Sequence, residues 1–141
     1  MTEDTHRQVT IERITNSHYT VTNARGGTIT VVTADSADFS PVELLLTAIG
    51  ACTAIDVDIL TSRRAEPNSF AIAVDAEKLR DEKGRSYLTD IAVTFRIRFP
   101  EGADGDKARA LLPDAVKRSH DQLCTVSRTV ELGTPVATVI S

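Results

Sequence analysis

A long apolar segment, SPVELLLTAIGACTAIDVDIL at residues 40–60, places the strongest constraint on how this chain folds. Ser40, Pro41 and Glu43 form the pattern of a helix start, in which a serine cap, a proline in the first turn and a returning glutamate satisfy free N–H groups. Pro67 predicts that the helix ends shortly before it. Because two aspartates interrupt the apolar run, we expect a buried helix rather than a membrane span.

Cys52 lies near the middle of this segment, in the centre of the apolar arc of the predicted helix. Asp56 follows one turn later, so a carboxylate points into the same apolar surroundings as the thiol. The opposite side is a narrow stripe of small and polar residues that would let another element approach closely: Glu43, Thr47, Gly50, Ala54, Asp58 and Thr61.

Each of these two side chains has two interpretations. Cys52 is either a small buried hydrophobic residue, the usual fate of a lone cysteine, or a nucleophile. Asp56 is either the partner of an arginine from another element or part of a reactive site. Because a nearby carboxylate raises the pKa of a thiol, a nucleophilic Cys52 requires a cation close to it.

Five other segments alternate apolar and polar side chains, which is the pattern of β-strands. Three precede the helix and two follow it: QVTIERI, HYTVTN, GTITVVT, SFAIAVDAE and SYLTDIAVTFRIRF. The sequence NARGG at residues 23–27 predicts a turn between the second and third strands, since Asn and Gly tolerate positive φ.

The C-terminal third predicts a second helix followed by a last strand. KARALLPDAVKRSHDQLC has apolar residues at helical spacing, and Pro113 predicts a kink or a restart within it. EGADGD before it predicts a loop, and TVELGTPVATVIS after it predicts a strand. The predicted order is therefore βββ-α-ββ-α-β, with one sheet against two helices in a single domain, residues 1–141.

Cys124 ends the second predicted helix, with His120 one turn before it. His120 is either a residue at the surface edge of the helix, which we favour, or a base near a thiol. The two cysteines and three histidines show no Cys-x-x-Cys or His-x₃-His spacing, so we expect no metal and no other cofactor.

Charge and the N-terminal sequence limit the partners and the compartment. The net charge is -4 and no basic stripe is present, which excludes nucleic acid and an acidic membrane surface as expected partners. The N-terminal MTEDTHRQVT lacks the positive-then-apolar pattern of a secretory signal. We therefore expect a cytoplasmic protein, where a redox-active cysteine pair is more plausible than a structural disulfide.

FSPVELLLTAIGACTAIDVDIL and the later SHDQLCTVSRTVELGTPV resemble the two cysteine motifs of the OsmC/Ohr family of thiol-dependent peroxidases. The resemblance extends over nearly the whole chain in the order of its elements. It implies an α+β, OsmC-like fold that is complete only as an intertwined homodimer. The sheet would pack on two central helices, and the sites would lie at the subunit interface.

The resemblance also implies a chemistry. Cys52 would attack a hydroperoxide and become a sulfenic acid, Cys124 would condense with it to a disulfide, and a dithiol would reduce the pair. The apolar surroundings of Cys52 suit an organic hydroperoxide, although an inorganic one also fits the cycle. Such an enzyme would serve in oxidative-stress defence.

The family's hydroperoxide reductases hold the reactive thiolate with an arginine and a glutamate. The glutamate directly follows the helix-start proline, a place occupied here by Val42. Glu43, one residue later, points away from Cys52 on a straight helix, and helix capping accounts for it. Arg25 in the NARGG turn and Arg13 in the first strand are both candidates for the arginine.

Two other functions fit the same scaffold. One is a non-catalytic protein whose pocket binds a small apolar ligand, and the other is a thiol redox sensor with a downstream partner. A two-cysteine peroxidase requires the sulfurs of Cys52 and Cys124 to come within bonding range, whereas a binding protein does not.

Overall fold

The computed structural model describes residues 4–141, so the first three residues of the N-terminal MTEDTHRQVT lie outside the described residues. The α+β class is confirmed: the described residues contain two antiparallel sheets, three α-helices and one π-helical segment. The chain groups into two compact units, an N-terminal unit that ends at Leu45 and a C-terminal unit that begins at Leu46. The single domain remains a prediction.

The N-terminal unit contains three strands in the order β1-β2-β3: Val9–Thr15, His18–Asn23 and Thr28–Val32. Both pairs are antiparallel, and Val21 on the middle strand lies opposite Ile11 and Ile29. The predicted turn is confirmed, since Asn23 Oδ1 accepts hydrogen bonds from the N–H groups of Arg25 and Gly27.

The predicted start of the first helix, α1 (Pro41–Ser62), is also confirmed. The Ser40 N–H donates to Glu43 Oε1 at 3.0 Å, and the Glu43 N–H donates to Ser40 Oγ at 3.3 Å, which is a complete capping box. These reciprocal bonds satisfy two N–H groups that a helix start leaves without intrahelical partners.

One side of α1 packs closely on another element, as the stripe of small residues predicts. A Cβ on Gly50 would lie only 2.6 Å from Val74 Cγ2, so glycine is what permits the approach. The helix is not buried all round within one chain, however, because Ile55 and Ile59 are 60% and 50% exposed. Among the described residues, α1 is the one helix that is long and apolar enough to cross a membrane. Helices in the cores of soluble proteins can have the same length and composition.

The C-terminal unit adds a hairpin and three helical segments. The strands β4 (Ser69–Arg80) and β5 (Ser86–Arg98) pair antiparallel. Helix α2 (Ala103–Arg118) begins inside EGADGD, so the predicted loop is shorter than expected, and the helix continues through Pro113 without a restart. A π-helical segment (Ser119–Leu123) and helix α3 (Thr125–Leu132) follow.

The expectation of one continuous sheet is wrong for the described residues, in which β1–β3 and β4–β5 form separate sheets. Each strand pairs with its neighbour in sequence because a short turn joins them, whereas the whole of α1 separates β3 from β4.

The predicted last strand, residues 129–141, is also wrong, since its first four residues are the end of α3 and no strand forms in the rest. The first residues of this segment instead belong to α3, which is capped at both ends. Cys124 accepts a hydrogen bond from the Ser127 N–H at its start, and Gly133 adopts a left-handed conformation (φ 64°) at its end. Residues 134–141 have no regular secondary structure.

Candidate functional site

The two cysteines meet, although they lie on different helices. Cys52 is half-buried in the middle of α1, and Cys124 is the N-cap of α3 and only 2% exposed. The two thiols lie close enough that each shifts the pKa of the other, and both cysteines are free. The packing of α1 against the start of α3 thus creates a dithiol site inside the C-terminal unit.

Hydrogen-bonding groups surround the Cys124 sulfur. The Ser127 N–H donates to it at 3.4 Å and the Thr53 hydroxyl at 3.6 Å, while Ser127 Oγ accepts from the neutral thiol at 3.3 Å. Burial alone would raise the pKa of Cys124, but hydrogen bonds with Ser127, Cys52 and Thr53 outweigh it and hold the pKa below its ordinary value. A thiol at a helix N-terminus is a usual place for such a shift.

The shift at Cys52 has the opposite sign. Burial raises the pKa of its thiol, and both the contact with Cys124 and the negative charge of Asp56 raise it further. The backbone N–H of Val126 faces the sulfur and lowers the pKa, but it does not outweigh the other effects.

Asp56 is bound to a hydroxyl. Its Oδ2 accepts a hydrogen bond of 2.8 Å from Ser119 Oγ, and Ser119 is fully buried. Among the described residues no arginine forms an ion pair with it, so the interpretation of Asp56 as an arginine partner is not supported. The site interpretation gains support because Asp56 acts on the pKa of Cys52.

Hydrogen bonds of the π-helical segment link Asp56 to Cys124. Ser119 begins this segment, and its carbonyl accepts a 2.8 Å hydrogen bond from the Cys124 N–H, five residues later. Such a widened turn is frequent at functional sites. Asp56 and Thr53, one turn apart on α1, therefore hold the two ends of the segment that positions Cys124.

A cavity of about 490 Å³ lies next to the dithiol within the C-terminal unit. Thr53 and Ser127, the two hydroxyl residues that contact Cys124, belong to its lining, whereas Cys52 does not. The rest of the lining is apolar on the side of β5 and charged near α3: Ile49, Ile91, Val93, Phe95, Pro113, Val116, Lys117, His120, Asp121, Val130 and Glu131.

His120 connects the charged residues of this cavity. Its Nδ1 faces Asp121 Oδ1 at 2.9 Å and its Nε2 faces Glu131 Oε1 at 2.8 Å, while Lys117 bonds the other oxygen of Asp121 at 2.7 Å. Hydrogen bonds with Asp121 and then Glu131 raise the pKa of His120. The ring is exposed, as we expected, and both of its nitrogens face carboxylates rather than a thiol.

The remaining candidate residues are Glu43, Arg25 and Arg13. Glu43 completes the helix cap, and its hydrogen bonds from the Ser40 backbone and side chain lower its pKa. Arg25 and Arg13 are exposed in the N-terminal unit, in the turn after β2 and in β1 respectively. Within residues 4–141, no group of three His, Cys, Asp or Glu side chains could hold a metal ion.

The model of the OsmC-like protein family matches residues 33–139, which include both cysteines and the elements that carry them. This chain belongs to the OsmC-like family. No curated protein matches the sequence.

Several solved structures share the fold of this chain. A hypothetical protein from Aquifex aeolicus VF5 is 25% identical, with a TM-score of 0.70 over 92% of this chain and 89% of that chain. An OsmC-like protein of unknown function from Vibrio cholerae is 12% identical, with a TM-score of 0.74 over 90% and 94%. An organic hydroperoxide resistance protein from Elizabethkingia anophelis is 12% identical, with a TM-score of 0.60 over 90% and 91%.

Sequence reasoning missed three side chains of this OsmC-like site: Thr53, Ser119 and Ser127. A signal existed for Ser127, because a cysteine followed three residues later by a serine has the spacing of a cap and its N3 partner. No local signal pointed to Thr53 or Ser119, whose roles depend on contacts 71 and 63 residues away in sequence.

Proposed function

We propose that this OsmC-like chain is a thiol peroxidase that reduces hydroperoxides through the Cys52–Cys124 pair. The observation that carries the proposal is that two free thiols from separate elements lie close together: Thr53, the residue after Cys52, donates to the Cys124 sulfur at 3.6 Å, and each thiol shifts the pKa of the other. Related folds that include an organic hydroperoxide resistance protein agree with a peroxide-related redox role.

The proposed reaction balances without a cofactor. One thiolate attacks the terminal oxygen of the hydroperoxide, the O–O bond breaks, and the alkoxide leaves as an alcohol after taking a proton. The sulfenic acid condenses with the second thiol, which releases water and forms the Cys52–Cys124 disulfide. A dithiol then reduces that disulfide and is itself oxidised. The resemblance to the family assigns the first attack to Cys52.

The cavity supports an organic substrate. Apolar side chains of β5, among them Val93 and Phe95, line it next to hydroxyls that contact Cys124. An alkyl or aryl hydroperoxide could place its carbon chain against these walls and its peroxide group near the thiols. We propose that the enzyme works in the cytoplasm as a homodimer, in which a second copy covers the exposed Ile55 and Ile59 of α1.

The same cavity favours one alternative, a protein that binds a small apolar ligand without chemistry. Its volume of about 490 Å³ lies within the range of small-molecule sites. This alternative leaves the thiols unchanged when a hydroperoxide is added, which makes the two functions easy to separate.

The deciding experiment adds one equivalent of cumene hydroperoxide to the reduced protein and alkylates remaining thiols at set times. We expect rapid loss of both thiols and a Cys52–Cys124 cross-linked peptide by mass spectrometry, with full recovery after a dithiol is added. The C52S and C124S variants are the controls and should form no intramolecular disulfide. If both thiols of the folded wild-type protein still alkylate normally, the peroxidase proposal fails and ligand binding becomes the better explanation.

A further inference from the structure

The cavity next to the dithiol has a buried end and an exposed end. Ile49 and Thr53 of α1 lie at the buried end, where they are only 4% and 6% exposed. His120 and Glu131 lie at the other end, and their side chains are 56% and 61% exposed. The exposed end is the mouth of the cavity, so a hydroperoxide from solvent passes His120 and Glu131 before it reaches the hydroxyl of Thr53, which contacts the Cys124 sulfur.

Two helical walls meet at this mouth. Lining residues at positions 113, 116, 117 and 120 follow helical spacing along α2 and the π-helical segment, and those at 127, 130 and 131 do the same along α3. The hydrogen bond of 2.8 Å between His120 Nε2 and Glu131 Oε1 joins the first wall to the second. Because this bond lies at the exposed end, the width of the mouth depends on it.

His120 needs two N–H groups to make both of its contacts. Its Nδ1 lies 2.9 Å from Asp121 Oδ1, and its Nε2 lies 2.8 Å from Glu131 Oε1. An ionised carboxylate only accepts hydrogen bonds, and a neutral imidazole has a single N–H, so both bonds form together only when the ring is protonated. The two carboxylates favour that state, since their hydrogen bonds raise the pKa of His120. A neutral ring gives up one of the two bonds and the charge attraction in both.

The charged groups that face His120 come from three elements. Asp121 belongs to the same π-helical segment and Glu131 to α3, while Lys117 of α2 bonds the second oxygen of Asp121 at 2.7 Å. The residues that α1 and β5 contribute to the cavity carry no charge: Ile49, Thr53, Ile91, Val93 and Phe95. His120 is therefore the group of this cavity whose charge changes near neutral pH.

We propose that protonated His120 and Glu131 form a gate at the mouth of the cavity, which restricts the entry of bulky organic hydroperoxides. The gate rests on the proposed peroxidase function. With the ring protonated, the bond holds α3 against the π-helical segment and narrows the mouth. With the ring neutral, or with either side chain removed, the mouth widens and an aryl hydroperoxide enters more easily. Hydrogen peroxide is small enough to enter in both states.

The first test compares a bulky peroxide with a small one. The rate at which the reduced protein loses its free thiols is measured with cumene hydroperoxide and with hydrogen peroxide, and the first rate is divided by the second. The ionisation of the attacking thiol cancels in this ratio, because both peroxides react with the same thiolate. We expect His120→Ala and Glu131→Ala each to raise the ratio about twofold to fivefold, which corresponds to the loss of one exposed ion pair.

Arg128→Ala is the matched control, because Arg128 is also exposed on α3 but does not line the cavity, and it should keep the wild-type ratio. Since His120 and Glu131 act through one bond, the double variant should give no higher ratio than either single variant. A ratio that stays at the wild-type value, or falls, in the single variants overturns the gate and leaves the peroxidase function intact. If neither peroxide oxidises the wild-type thiols, the peroxidase function fails and the gate fails with it.

The second test uses the wild-type protein, so that misfolding of a variant cannot decide the result. The same ratio of rates is measured from about pH 5.5 to about pH 9, a range that includes the titration of a histidine with a raised pKa. We expect the ratio to rise with pH as His120 loses its proton, and to stay constant over this range in His120→Ala. A wild-type ratio that does not change with pH, or an equal rise in His120→Ala, overturns the gate.

Discussion

Asp56 on α1 accepts a 2.8 Å hydrogen bond from the buried hydroxyl of Ser119, the first residue of the π-helical segment. Cys124 directly follows this segment, and its N–H donates to the Ser119 carbonyl. A carboxylate one turn from Cys52 therefore fixes the backbone that presents the other cysteine. This link makes Asp56 a positioning residue for the dithiol as well as a charge near Cys52.

Removing the Asp56 side chain should weaken both folding and chemistry. Asp56→Ala leaves the buried Ser119 hydroxyl without its acceptor, which should lower the free energy of unfolding by about 1–3 kcal/mol. Because Ser119 also holds the Cys124 backbone, we expect slower disulfide formation after peroxide addition. Urea denaturation and quantification of the Cys52–Cys124 peptide measure the two effects.

The exposed Asp58 on the same helix supplies the control for that change. Asp58→Ala should leave disulfide formation unchanged. If Asp56→Ala alters only stability and the disulfide forms at the wild-type rate, Asp56 has a purely structural role.

Neutralising Asp56 while keeping its oxygen acceptor separates charge from geometry. In Asp56→Asn the amide oxygen can still accept from Ser119, but the negative charge that raises the pKa of Cys52 is gone. The pKa of Cys52 should therefore fall, and its alkylation at neutral pH should become faster. An unchanged rate at Cys52 would show that the carboxylate does not act on this thiol.

Gly50 should tolerate no side chain while Val74 is present. Gly50→Ala gains about 1 kcal/mol of helix propensity, but its Cβ would lie 2.6 Å from Val74 Cγ2, and overpacking costs about 1–3 kcal/mol. We expect a lower Tm for this variant in thermal unfolding. The same substitution in a Val74→Ala background should lose the penalty, and equal effects in both backgrounds would argue against the contact.

The contribution of His120 to stability should depend on pH. Asp121 and Glu131 raise its pKa in the folded protein, so protonation favours folding. This contribution is complete below the ordinary histidine pKa and is lost as the pH rises through the raised value. The Tm difference between wild type and His120→Gln should therefore be larger at about pH 5.5 than at about pH 8.5.

If the Tm difference for His120→Gln is the same at both pH values, the hydrogen bonds of His120 with Asp121 and Glu131 are not maintained in solution.

Much of the fold follows from patterns a few residues long. The capping box of Ser40 and Glu43, the Asn23–Gly27 turn and the alternation along β5 each predicted the element that forms there. The last segment, residues 129–141, was predicted as a strand, but its first four residues complete α3, a helix that is capped by Cys124 and Gly133.

The sequence by itself determined the start of α1 and the positions of the five strands, and it singled out Cys52, Asp56 and Cys124 as residues with chemistry. It could do so because caps, turns and periodicity act between neighbours in the chain. The tertiary structure alone decided that the two thiols meet, that Ser119 binds Asp56 and that Thr53 contacts Cys124. These contacts join residues separated by more than sixty positions, and only the packing of α1 against the π-helical segment and α3 brings them within hydrogen-bond distance.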